Sequence, residues 1–248
     1  MPPGADGAEP AGAAALVGRV AAPGDEVLLL PPGGRVAIGS SGLRPSGGAI
    51  VATKSGVVRR TRGGQLWIEG RQKRYIPAEG DCVVGVVVDR MSEHFTVDIA
   101  GPFKAVLPML SFENATKRNR PAIYEGDAVF ARVAQAHPDM DPVLTCVDGQ
   151  GRASNYGHLK GGHTFECSCA WARALLEQPP PAVVAALGAE VPFEMAVGLN
   201  GRVWIDAPSA ALAVRAAGAL RAAEEELGPG GDAGAFVKRA LAGGGAGG

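Results

Sequence analysis

Two clusters of cations and one glycine turn are the parts of this sequence whose residue types and spacing can do chemistry. SFENATKRNRP (Ser111 to Pro121) crowds Lys117, Arg118 and Arg120 together, and RQKRYIP (Arg71 to Pro77) does the same with Arg71, Lys73 and Arg74. Dense cations of this kind complement a phosphate backbone or an acidic protein surface, and the sequence leaves both open. GLNG, Gly198 to Gly201, has the Gly-x-x-Gly form whose backbone N–H groups clamp nucleic acid in some RNA-binding modules. Catalytic chemistry is harder to find. HLKGGHTFECSC holds His158, His163, Cys167 and Cys169, but a Cys-x-Cys within a strand sets both sulfurs on one face, and no second pair follows at zinc-finger spacing. Asp139 and Asp141 in HPDMDP lack the spaced partners of a calcium loop or a two-metal nuclease and read as turn residues. No histidine sits in a recognisable nucleophile motif, and Glu224 to Glu226 read as the solvated face of a helix. The expectation is a protein that is not an enzyme, with no catalytic residue, metal or cofactor.

The whole chain carries 24 Lys and Arg against 25 Asp and Glu, so the basic islands are local features of a nearly neutral protein. From Lys54 to Arg74 the cations Lys54, Arg59, Arg60, Arg62, Arg71, Lys73 and Arg74 face the single acid Glu69. Charge at Arg59 to Arg62 also suits a strand edge guarded against aggregation. With 46% hydrophobic residues and no unbroken apolar run of membrane-spanning length, the chain is expected to be soluble, without a membrane partner. Its first residues carry acids and no basic n-region, so no secretory leader is expected. Cys82, Cys146, Cys167 and Cys169 are irregularly spaced and read as reduced thiols of an intracellular protein.

The elements that must position these residues fall into three blocks between two Gly/Ala/Pro-rich ends, 1–15 and 228–248, which read as disordered. In 16–76 the short apolar runs EVLLL, AIVAT, GVVRR, LWIEG and RYIP alternate with glycine and proline turns, predicting a small β domain. In 77–148, AEGDCVVGVVVDR repeats its own beginning as YEGDAVFARVAQA, and each Glu-Gly-Asp turn launches a valine-rich strand. HFTVDIA alternates with Phe95, Val97 and Ile99 on one face; AVLPMLSF and PVLTCVD complete five strands. A five-stranded Greek-key barrel of the OB type fits. In 149–227, HTFEC, CAWARALLEQ, PPAVVAALG, VPFEMAV, RVWID and a long alanine-rich helix give the order β-α-α-β-β-α of a KH-like domain. The fold class is therefore mainly β with α+β: small β domain, S1-type OB barrel, KH-like domain.

In a KH domain that grips RNA, the Gly-x-x-Gly loop joins the first two helices. That junction here is EQPPPAV, and Pro179 to Pro181 supply no N–H donors. GLNG lies instead between VPFEMAV and RVWID, where Asn200-Gly201 predicts a type I′ hairpin turn with positive φ at both residues. Gly198, Asn200 and Gly201 are accordingly structural turn residues, and the KH-like domain has lost its clamp.

With this domain order, and with SFENATKRNRP, RQKRYIP and GLNGRVW (Gly198 to Trp204), the chain resembles the S1/KH cap subunits of the eukaryotic RNA exosome, of the exosome component 3 type. The resemblance spans about Leu16 to Leu227. It implies a non-catalytic subunit that stabilises a ring of RNase PH-like proteins, beside other cap subunits. Single-stranded RNA is guided, with little sequence preference, toward associated nucleases for 3′-to-5′ processing and decay, including rRNA maturation, RNA surveillance and mRNA decay. It also implies residence in nucleus, nucleolus and cytoplasm, and a G-x-N-G turn packed near the S1–KH junction. Lys117, Arg118, Arg120, Arg71, Lys73 and Arg74 are the candidate RNA-binding residues; a free-standing S1/KH RNA-binding factor is the alternative. Phe95 falls on the apolar face and Met109 stands where many S1 domains carry histidine, so RNA contact is expected to be mainly electrostatic rather than by stacking.

Overall fold

Short β-branched runs cut by glycine turns build strands throughout the first two thirds of the chain, and alanine-rich segments build helices in the last third. The computed structural model describes residues 17–30, 36–38, 42–60, 64–70, 74–116, 118–137, 139–226 and 232–242. The chain divides into two units, Met1–Arg71 and Gln72–Gly248.

In the first unit, β1 (Val20–Ala21), β2 (Glu26–Leu29), β3 (Leu43–Ser46), β4 (Ala49–Ala52), β5 (Gly56–Arg60) and β6 (Leu66–Glu69) form two three-stranded antiparallel sheets, β1-β5-β6 and β2-β4-β3. Val27, Ile50, Val58, Leu66 and Ile68 form its core. Strand β3, sequence LRPS, is not legible as a strand because Pro45 lacks an N–H; it is tolerated at the sheet edge. RYIP, expected as a strand here, is none: Tyr75 turns into the core of the second unit, and its hydroxyl donates to Asp81 Oδ2 at 2.7 Å.

The second unit opens with β7 (Cys82–Arg90), β8 (His94–Asp98), β9 (Ala105–Pro108), β10 (Ala128–His137) and β11 (Met140–Thr145). Their order β11-β9-β8-β7-β10 closes where β10 pairs back onto β11, giving the five-stranded barrel expected from the valine alternation. Phe95, Val97 and Ile99 are fully buried inside it. Gly85 points into the same interior, where a side chain would collide with Val97. Strand β12 (Gly157–Leu159) adds to the outer side of β10.

The KH-like part follows as β13 (His163–Glu166), α1 (Cys169–Leu175), α2 (Ala182–Glu190), β14 (Glu194–Val197), β15 (Arg202–Asp206) and α3 (Ala210–Glu226). The antiparallel sheet β13-β15-β14 packs Phe165, Val203 and Ile205 against Leu175, Leu187 and Leu220 of the helices. The Cys-x-Cys is not within a strand, contrary to expectation. Strand β13 ends at Glu166, Ser168 caps α1 by accepting from Trp171 N at 3.0 Å, and Cys169 is already helical. The interval 228–248, read from composition as disordered, carries α4 (Ala233–Ala242). Asp232 Oδ1 accepts from Gly234 N and Ala235 N at 3.0 and 3.1 Å, capping the helix, and Phe236 and Val237 are buried against the other helices.

That packing makes α4 part of the domain. Phe236→Ala should lower unfolding free energy by about 3–5 kcal/mol, the scale of a buried Phe truncation, measured by urea denaturation of the full chain. An unchanged midpoint would make α4 a loose appendage.

Candidate nucleic-acid interface

The turn between β14 and β15 is closed by Gly201 N donating to Gly198 O at 3.0 Å and Gly198 N to Arg202 O at 2.9 Å. Of the two residues expected at positive φ, only Gly201 has it, at 74°; Asn200 does not, so the turn is not type I′. A Cβ on Gly201 would collide with Cys167 O, and one on Gly198 with Asn200 Oδ1 and Val84 N. Gly198 thus brings the turn's backbone against the barrel, and Gly201 brings it against the segment that leads into α1. Leu199 N donates to Cys82 O at 2.8 Å.

What Asn200 does follows from where the barrel ladder stops. Strands β7 and β8 pair as far as Val86 and Asp98, which leaves the next backbone groups of Val84 and Ile99 without strand partners on that side. The Asn200 amide fills the gap: Nδ2 donates to Val84 O at 2.8 Å and Ile99 O at 2.9 Å, and Oδ1 accepts from Val84 N at 3.3 Å. Arg202 stitches the next step, with Nη1 donating to Asp98 O at 2.8 Å and Nη2 reaching Asp98 Oδ2 and Glu166 Oε1 at 3.1 Å each. Burial raises the Asp98 carboxyl, but hydrogen bonds from Lys104 and Arg202 outweigh it and hold it below the ordinary carboxylate range. Asn200 and Arg202 are two of three buried polar residues among those described, and both serve this junction. On β15, Val203 and Ile205 face the helices while Arg202 reaches the barrel, so the second face of the KH sheet meets the S1 domain at Arg202. Neither Asp98 nor Arg202 was singled out from sequence, because the contact joins residues 104 positions apart.

The candidate RNA-binding cations separate. Lys117, Arg71 and Lys73 lie outside the described residues. Arg118 and Arg120 are exposed on the connection between β9 and β10. A turn holds that connection: Thr116 N donates to Asn119 O at 3.0 Å, Asn119 N to Thr116 Oγ1 at 2.9 Å, and Asn119 Nδ2 to Asn114 O at 3.2 Å. Arg120 Nη1 donates to Ser92 O at 3.2 Å, placing its guanidinium beside the β7–β8 loop. Arg74 is also exposed, but its neighbour Tyr75 is tied to Asp81 just before β7, whereas Arg120 meets Ser92 just after that strand.

Barrel residues considered for base contact are mostly internal. Phe95 packs edge-on against Phe112, with ring centroids 6.2 Å apart, and Met109 is buried in the same core rather than displayed. An aromatic the sequence reading passed over does reach the surface: Tyr124 is 61% exposed, with the Arg90 guanidinium carbon 5.3 Å from its ring centroid. Among the described residues no group of three or more His, Cys, Asp or Glu is placed to hold a metal. Burial pushes the Cys146 and Cys167 thiols up to about 12, which keeps them protonated near neutrality.

Comparison with known proteins adds to this geometry. Residues 75–157 match the family model for the exosome complex component RRP40 S1 domain, and residues 162–211 match a KH domain model. The chain is 41% identical over 191 residues to exosome complex component RRP40 of Drosophila melanogaster, covering 77% of this chain and 82% of that protein. It is 34% identical over 238 residues to the Homo sapiens protein of the same name, covering 84% and 86%. A crystal structure of a protein provisionally described as an exosome complex RNA-binding protein superposes with TM-score 0.55 at 25% identity, covering 68% of this chain and 95% of that one.

Two outcomes follow from the junction. Asn200→Ala strands three backbone groups in a dry interface and should cost about 2–4 kcal/mol in urea denaturation, with unfolding that begins between barrel and KH-like domain. A neutral variant would refute the ladder role. Asp98 has a lowered pKa when folded, so its contribution is present above the ordinary aspartate value and is withdrawn as pH falls through the lowered one. Asp98→Asn should remove that acid-sensitive step from the pH dependence of stability; a step of wild-type size in the variant would assign it elsewhere.

Proposed function

The chain belongs to the exosome complex component RRP40 family, and from that membership we propose that it is a non-catalytic, RNA-binding cap subunit of an RNA exosome. In this reading it corresponds to the exosome component 3 type. It meets RNase PH-like ring subunits and other cap subunits, and it works wherever the particle works, in nucleus, nucleolus and cytoplasm. Single-stranded RNA passes it on the way to 3′-to-5′ processing or decay by associated nucleases.

The observation that carries the RNA path is the exposed Arg118–Arg120 loop, anchored on Ser92 at one end of the barrel, in a molecule whose KH part has no clamp left. Pro179 to Pro181 occupy the clamp position, and the KH sheet is tied to the barrel through Arg202. Electrostatic contact at a single loop is weak alone. Inside a particle, several such contacts act together at high effective concentration, which favours a subunit over a free-standing factor.

In the reconstituted particle, replacing Lys117, Arg118 and Arg120 by alanine should reduce protection of a long single-stranded RNA. The log–log salt slope should fall by about 1 for each phosphate contact removed, equally for different sequences. Unchanged protection with an intact particle would remove the loop from the RNA path; failure to assemble would make it a protein interface. The purified chain should cleave no RNA with or without divalent metal, and cleavage abolished by one point substitution would overturn the non-catalytic reading.

A further inference from the structure

The barrel contains its own control experiment. Ala78-Glu79-Gly80-Asp81 and Tyr124-Glu125-Gly126-Asp127 form the same turn twice. Asp81 N donates to Ala78 O, and Asp127 N to Tyr124 O, each at 3.1 Å. Each aspartate Oδ2 accepts from the first residue's N–H, at 3.3 Å in one turn and 2.8 Å in the other. Gly80 and Gly126 have φ of 89° and 90°, and each donates to the neighbouring strand at 2.8 Å. Alanine suffices at the first position of one copy, so the turn does not require an aromatic ring there. The ring of Tyr124 is 61% exposed, and its backbone is locked to β7 by Gly126 N to Val87 O and Val87 N to Asp127 O.

We propose that Tyr124, backed by Arg90, is a base-stacking site for single-stranded RNA at the end of the barrel that carries the Arg118–Arg120 loop, an inference that rests on the RNA-path reading above. Arg90 lies over the ring at 5.3 Å, an arrangement in which cation and ring orient one another while most of the ring stays in solvent. Two residues after Arg90, Ser92 O receives the Arg120 guanidinium, so ring and phosphate-seeking cations share one end of the strand. The acids at that end argue for stacking. Glu93 and Glu125, next in sequence to Ser92 and Tyr124, are exposed and thin the positive field there, whereas the face of a base binds an aromatic ring whatever the local charge. The site lies at the strand end and in the turn before β10, away from the β8–β9 face, whose aromatic Phe95 is turned inward.

The test uses the full chain with a dodecamer of oligo(A) and an abasic ribose-phosphate chain of equal length. Tyr124→Ala should weaken oligo(A) binding roughly 5- to 150-fold, the range of one base–aromatic stack, while Tyr124→Phe keeps wild-type affinity. Abasic binding and the salt slope should not change in either variant, whereas Arg118→Ala with Arg120→Ala should lower the slope. Unchanged oligo(A) affinity in Tyr124→Ala, with loss in the arginine variant, overturns the stacking site and leaves the RNA path standing. Equal loss on both probes overturns it as well, because a stack needs a base. If the wild-type chain binds neither probe, the stacking site is overturned, while the RNA path is decided by protection in the reconstituted particle. A Tyr124→Ala chain that binds RNA normally but no longer enters the particle reassigns the ring to a protein contact.

Discussion

The arrangement of the second unit depends on one amide. Asn200 closes the gap where the β7–β8 ladder ends, and it does so from another domain. A buried N–H and two buried carbonyls would each be costly without it, and only a side chain carrying donor and acceptor together satisfies all three. A hydrophobic contact at the same place would add stability in many registers. The amide accepts one, because it must meet Val84 and Ile99 together. Arg202 repeats the logic one step along, binding a backbone carbonyl and two carboxylates with a single planar group. Gly198 is the consequence: there the turn approaches Val84 of the barrel too closely for a Cβ, while Gly201 is required by the close passage of Cys167.

The KH sheet is held to the barrel at this junction. Arg202 anchors its far face there, and the prolines before α2 offer no N–H row to a phosphate. What remains is a strut, stiffened from behind by α4, which packs Phe236 and Val237 among the other helices. Arg120 meets the β7–β8 end of the barrel, while Tyr75, next to Arg74, is tied to the other end of β7.

Much of this was legible in the sequence, and the failures have definite causes. The barrel strands could be read because one buried face forces alternation, as at His94 to Asp98, and most of the KH-like order because glycine or proline stands near the element ends; the β13–α1 boundary has neither and was misplaced. Strand β3 was missed because edge position excuses a proline, and α4 because Gly/Ala-rich composition masked a short helical pattern, Ala233, Phe236, Val237, Ala240 and Leu241, that was there to read. The asparagine turn could be located but not understood. Turn chemistry is local, and predicted positive φ at Asn200; the partner that decides its conformation is 116 residues away. Met109 looked like a surface substitution only because one residue's direction in a strand end is a matter of register.

The repeated Glu-Gly-Asp turn shows where such a barrel is free to vary. Glycine must take positive φ and aspartate must cap the first residue's N–H, so those positions are constrained by backbone geometry in both copies. The first position donates and accepts only through its main chain, and its side chain is unconstrained by the turn. In one copy it is Ala78, lining an apolar groove with Ile76, Phe103 and Met140; in the other it is Tyr124, facing Arg90. One backbone solution used at opposite ends of the barrel thus presents an apolar surface at one and an aromatic ring among cations at the other. A change of function at such a position costs the fold little, because nothing in the turn reads the side chain it carries.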